Sequence, residues 1–145
     1  MSKKLLATMM LIVLALLVGC ETQPSHTYED LLGEWDFPNN THISVMQDSD
    51  TPSQKMLDIR WQEGTVEYFA MIDGTSEGAT FTGTYAYSTT ADNGSGSLIL
   101  YYGDDVDEPH KDITITLTLE DDTLKAVCTG DAPLGGKTFT LGTLT

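Results

Sequence analysis

The chain has 145 residues, with 22 acidic against 7 basic side chains and a formal net charge of −15. So strong an acidic bias argues against nucleic acid and against an anionic membrane face as partners, because like charges repel. Residues 1–19 hold two of the basic residues and no acid, so the remaining 126 carry 5 basic against 22 acidic groups, a charge of −17. That length suits one domain with one core.

In chain order, Lys3 and Lys4 precede an apolar run of 14 residues, Leu5 to Val18, broken only by Thr8. At about 1.5 Å per residue a helix of that length covers roughly 21 Å, short of a hydrocarbon core of about 30 Å. A charged start, a short apolar core and small residues at its end describe a secretory signal rather than a spanning helix. The tetrapeptide Leu17-Val18-Gly19-Cys20 resembles the lipobox of bacterial lipoproteins. The resemblance implies a diacylglyceryl group on the Cys20 sulfur and cleavage between Gly19 and Cys20. The mature chain would then be held at the cell envelope, outside the cytoplasm, by acyl chains of the palmitate class. Two or more such chains make the attachment stable. Glu21, in place of an Asp, leans toward the outer membrane if the source has two membranes.

With Cys20 lipidated, Cys128 has no partner within the chain, and the domain folds on packing alone. Cys128 shares strand parity with Leu124 and Ala126, which reads as a small buried residue. Glu21 to His26 is short and polar and reads as a tether; residues 27–32 allow one helical turn.

From Gly33 onward the pattern has period two, and nine strands are expected between turn clusters. Gly33 to Phe37 and Thr41 to Gln47 are separated by Pro38-Asn39-Asn40. In Lys55 to Trp61, Leu57, Ile59 and Trp61 alternate with Asp58 and Arg60. Thr65 to Ile72 is apolar on both faces. In Thr80 to Ser88, Phe81, Gly83, Tyr85 and Tyr87 share one side. Leu98 to Tyr102 follows a Gly-rich turn. Ile113, Ile115, Leu117 and Leu119 then oppose Asp112, Thr114, Thr116 and Thr118, and Leu124 to Cys128 and Thr138 to Leu144 complete the set. Short strands without a long crossover predict an all-β fold: an antiparallel up-and-down meander closing into a small barrel, with a two-sheet β-sandwich as the alternative. The expected organisation is a signal peptide over 1–19, a lipidated tether over 20–29 and the barrel over 30–145.

Leu32-Gly33-Glu34-Trp35, after a short helical turn, resembles the start of the lipocalin-like (calycin) β-barrels, above all the small bacterial lipocalin-like lipoproteins. The resemblance implies that Gly33 and Trp35 are structural and close one end of the barrel. It also implies that the interior can hold a small apolar ligand. The sequence departs from the family in three places. Residues 136–145 contain Lys137 but no Arg to pack on that Trp, the second family signature has no counterpart, and the C-terminal helix is missing.

Trp61, Tyr68, Phe69, Tyr85, Tyr87, Tyr101 and Tyr102 either line a cavity or fill the barrel; Trp61, Tyr85 and Tyr87 are the candidate ligand-lining residues. Arg60, the only arginine, is expected to point outward beside Asp58. Asp104, Asp105, Asp107, Glu108 and His110 crowd one segment without a calcium-loop pattern, so a charged surface is expected there and no metal. No nucleophile elbow, zinc-protease motif or phosphate loop is present, so no enzyme activity, catalytic residue or cofactor is expected. Two functions compete: a membrane-anchored module holding a small apolar ligand, and a filled structural or interaction domain presenting an acidic surface to an envelope protein.

Overall fold

The computed structural model describes residues 26–102 and 111–145, and for residues 99–102 the backbone alone. The expected lipidation and cleavage positions, Gly19 and Cys20, and the acidic segment 104–110 lie outside the described residues. A single 3₁₀ turn, Glu29–Leu31, leads into nine strands: β1 Gly33–Phe37, β2 Thr41–Gln47, β3 Lys55–Glu63, β4 Val66–Glu77, β5 Thr80–Asp92, β6 Ser97–Tyr102, β7 Asp112–Glu120, β8 Thr123–Gly130 and β9 Thr138–Leu144. Every pairing is antiparallel, and β1 closes on β9 through Trp35 opposite Leu144. The meander is therefore a closed barrel, not a two-sheet sandwich.

Nine strands fill eight positions. Along one edge β5 pairs with β4 for its whole length. On the other edge residues 80–84 pair with β7 and residues 88–92 with β6. Strands β6 and β7 thus occupy successive stretches of one strand position.

The turns explain why neighbours pair so tightly. Asn39 and Asn40 have φ of 63° and 56°, and Asp121 and Asp122 have 48° and 67°. Two successive left-handed residues give a turn whose twist matches the strands it joins, and Asn and Asp tolerate that conformation best among side-chain-bearing residues. The expected alternation holds in β3 and β7: Leu57, Ile59, Trp61, Ile113, Ile115 and Leu117 are buried in one contiguous core. It fails within β5. There Ile72 lies opposite Tyr85 and Met71 opposite Tyr87, which leaves Ala86 as an extra residue. This bulge reverses the faces: Tyr85 is fully buried, Tyr87 is 41% exposed, and Ser88 and Thr90 turn inward.

One end of the barrel is plugged. The Tyr28 ring is fully buried and stacks on Phe81 at 5.9 Å. Its hydroxyl lies 2.8 and 2.6 Å from the carbonyl oxygens of Met46 and Met56, and its amide donates to Gly78 O at 2.8 Å. Lys55, 4% exposed, donates to Glu29 at 2.6 Å and to Gln47 at 2.9 Å, with Nζ 5.5 Å from the Tyr28 ring centre. Trp35 donates Nε1–H to Leu31 O at 2.8 Å. Gly33 has φ of 140°, and a Cβ there would stand 2.9 Å from Leu144 Cδ1, so Gly and Trp together form this end. The packed unit begins by Tyr28, inside the stretch 20–29 that the sequence assigns to the tether, because the tyrosine itself is part of the plug.

Candidate functional site

The opposite end is open. Three pieces of chain meet there: the β1–β2 turn, the end of β3, and residues 137–141 entering β9. They enclose a cleft of about 480 Å³. Its floor is aromatic because period two brings Phe37, Trp61 and Phe139 to the same side of their strands. Phe139 meets Phe37 edge-on at 6.3 Å and lies 6.2 Å from Trp61. Tyr68, opposite Trp61 in the register, stacks on the indole at 5.0 Å and 7°. Phe37 can lie against β9 only because residue 142 is glycine: a Cβ there would come within 2.4 Å of the ring.

The rim is polar. Lys137 pairs with Glu63, and its Nζ sits 6.0 Å from the Trp61 ring centre. Leu141 stands on the same rim, 61% exposed and with φ of 67°. The cause is one extra residue in β9: Phe139 pairs with Ala126 and Gly142 with Leu124. A bulky side chain in the left-handed region is strained.

Two buried polar atoms near this end lack hydrogen-bond partners among the described residues, Trp61 Nε1 and Thr90 Oγ1. They belong to one cross-strand row, Trp61–Tyr68–Thr90, and their residues are 2% and 8% exposed. Buried donors without acceptors are rare in folded proteins and call for an explanation at each site.

The three residues expected to line a ligand are not brought together. Trp61 lines the cleft. Tyr85 is core: its hydroxyl donates to Asp131 O at 2.8 Å and accepts from the Leu134 amide at 3.0 Å. Tyr87 lies outside, edge-on to Phe69 at 6.2 Å. Gly33 and Trp35 sit at the far end of the barrel. Arg60 does point outward, with Nε 3.7 Å from Glu67. Cys128 is buried, as its strand parity predicts, and burial pushes its thiol up to about 12. The side chains of Tyr101 and Tyr102 lie outside the described residues. Among the described residues no three His, Cys, Asp or Glu side chains group as metal ligands.

Phe37, Phe139, Lys137 and Leu141 complete the cleft without having been singled out from the sequence. The two phenylalanines had a signal, their inward parity at strand ends. Lys137 and Leu141 had none, since a bulge and a loop place them. No protein-family model, curated protein or solved structure matches the chain.

Proposed function

We propose that this chain is a lipid-anchored lipoprotein of the cell envelope whose lipocalin-like barrel holds a small, largely apolar ligand at its open end. The lipobox Leu17-Val18-Gly19-Cys20 supports the anchor, and the Gly33-x-Trp35 start of a closed eight-position barrel supports the family likeness. The likeness has a limit at Trp35, which bonds to Leu31 O, while Lys137 packs over Trp61 at the other end. The observation that carries the ligand is the cleft itself. It has an aromatic floor and a polar rim, and the Trp61 that lines it carries a buried indole N–H with no acceptor among the described residues. A cleft of this size suits a small molecule. Such a molecule would lay an apolar body on Phe37 and Phe139 and offer an oxygen to Trp61 Nε1–H. Below the cleft the buried side chains form one contiguous core, so the ligand is held at the mouth rather than deep inside.

That filled core also favours the second reading, a structural or interaction domain. Two measurements separate them. Native mass spectrometry of the mature protein, extracted in mild detergent, should show a co-purifying small molecule and a lipidated Cys20. In a Trp35→Phe background, Trp61 fluorescence should respond saturably to decanoate or decanol. A lipidated protein with no adduct and no response leaves the anchor standing and the ligand reading refuted; an unmodified Cys20 refutes the anchor.

A further inference from the structure

The outer wall of the barrel carries a second concavity, about 260 Å³, formed by His42, Ser44, Asp58, Arg60 and Phe69. It shares no lining residue with the open-end cleft and does not depend on the reading given to that cleft. The register builds it from two rows of outward side chains. One runs Asp36–His42–Arg60–Phe69; the other runs Glu34–Ser44–Asp58–Met71–Tyr87.

Asp58 Oδ1 is buried there with no hydrogen-bond donor among the described residues. The neighbouring donors are committed elsewhere. Ser44, directly opposite, gives its hydroxyl proton to Glu34 Oε2 at 2.7 Å. Met71, opposite on the other side, has no donor to give. His42 is held at both ring nitrogens, by Asp36 at 2.6 Å and by Glu34. Arg60 lies over the Phe69 ring instead, with its guanidinium carbon 5.8 Å from the ring centre and Nε 3.7 Å from Glu67, and gives Asp58 Oδ1 no hydrogen bond. Desolvation, then the charges of Glu34 and Asp73, push the Asp58 carboxyl up, against the pull of Arg60. A half-buried carboxylate among acids and without a donor costs stability. Beside it the wall is apolar: Phe69 meets Tyr87 edge-on, and Tyr87 and Met71 are 41% and 38% exposed.

We propose that Asp58 and the Phe69–Tyr87 wall form a binding site for a small organic ammonium ion with a short apolar stem. The N–H groups supply the donor that Asp58 Oδ1 lacks, the positive charge offsets the surrounding acids, and the stem packs against the Phe69 and Tyr87 rings beside the Arg60 guanidinium. The chain's negative charge steers such a ligand inward. A metal ion fits less well, since no three of these acids and the imidazole group as ligands.

The test uses benzylammonium chloride at pH 7.5, followed by backbone amide shifts. Saturable shifts centred on Asp58, Phe69 and Tyr87 are expected. Benzyl alcohol, which has no charge, and benzyltrimethylammonium, which has no N–H donor, should each bind more weakly. Asp58→Asn should weaken benzylammonium binding by about tenfold or more, the size of one charge-assisted hydrogen bond. Its melting temperature should hold or rise, because an unpaired carboxylate has been removed. Phe69→Leu, which keeps the carboxylate, should weaken binding as well, and gives an answer if the Asn variant folds poorly. The proposal is overturned by shifts that never saturate and spread over the acidic surface, by unchanged affinity in Asp58→Asn or Phe69→Leu, or by equal binding of benzyltrimethylammonium.

Discussion

The two ends of the barrel are built from similar side chains put to different use. Each pairs aromatic rings from neighbouring elements with a lysine, and each contains one tryptophan. At the plugged end the Trp35 indole reaches Leu31 O, the Tyr28 hydroxyl reaches two carbonyls, and Lys55 donates to two side-chain oxygens. At the open end the Trp61 indole N–H has no acceptor among the described residues, and the Leu141 backbone is strained. Satisfied polar groups in a dry plug favour one rigid arrangement. Unsatisfied groups and strain are costs that a folded chain retains where another demand is being met. The difference marks the plugged end as the more stable one and is the contrast on which the proposed ligand site rests.

The largest expected effect is at the plug. Tyr28→Ala removes a buried ring, its stack on Phe81 and its hydrogen bonds, and should cost about 3–5 kcal/mol in urea unfolding. Trp61→Phe removes an indole nitrogen that has no partner among the described residues, so its cost is that of a smaller buried ring alone, about 1–2 kcal/mol. The comparison breaks if the two losses are equal, because Trp61 would then be as structural as Tyr28.

A smaller effect of opposite sign is expected at Leu141. Left-handed backbone costs a residue with a Cβ about 1–2 kcal/mol. Glycine removes that cost but adds about 0.4–1 kcal/mol of unfolded-chain entropy. Leu141→Gly should thus raise stability by up to about 1 kcal/mol while weakening the decanol response of Trp61. A variant that loses stability would show that the exposed leucine holds the rim together, and the contrast between the ends would narrow.

The sequence carried the architecture well and the sites poorly, for reasons that can be traced to particular residues. Alternation is a local signal, so the buried faces of β3 and β7 were legible, and so was the outward Arg60. The sharing of one strand position by β6 and β7 depends on pairing across the barrel, which no local pattern encodes. The bulge at Ala86 is one residue long within an alternating run, yet it sends Tyr87 out and Ser88 in. Tyr28 read as part of a helical turn at the end of the tether, not as core, because its role depends on carbonyls 18 and 28 residues away. Trp61 was found because burial follows parity. The missing acceptor of its indole, like the missing donor of Asp58, follows from what the neighbours already bond, and that is a property of the assembled sheet.

The smallest expected effect concerns the pH response of the outer wall, where Asp36 and His42 flank the β1–β2 turn. Asp36 chiefly, and Glu34 after it, raise the His42 imidazole above its ordinary value, against partial burial. A raised basic group contributes stability that is complete below its unfolded pKa, about 6.5, and is lost as pH rises through its folded value. Glu34 is lowered, first by the Ser44 hydroxyl and then by His42. Its contribution is present above an unfolded value of about 4.3 and is lost as pH falls through the folded one. Both contributions are in force between roughly pH 4.5 and 6.5, so the clamp stabilises most in that window. The His42 and Glu34 side chains are 38% and 54% exposed, and solvent screening keeps the total below about 1 kcal/mol. Urea midpoints at pH 5.5 and 8.5 should therefore differ more in the native sequence than in His42→Gln, and 1 M salt should shrink the gap. Equal pH dependence in the two proteins would mean that the clamp stores no stability. The wall would then resemble the open end, where the buried Trp61 indole N–H makes no hydrogen bond among the described residues.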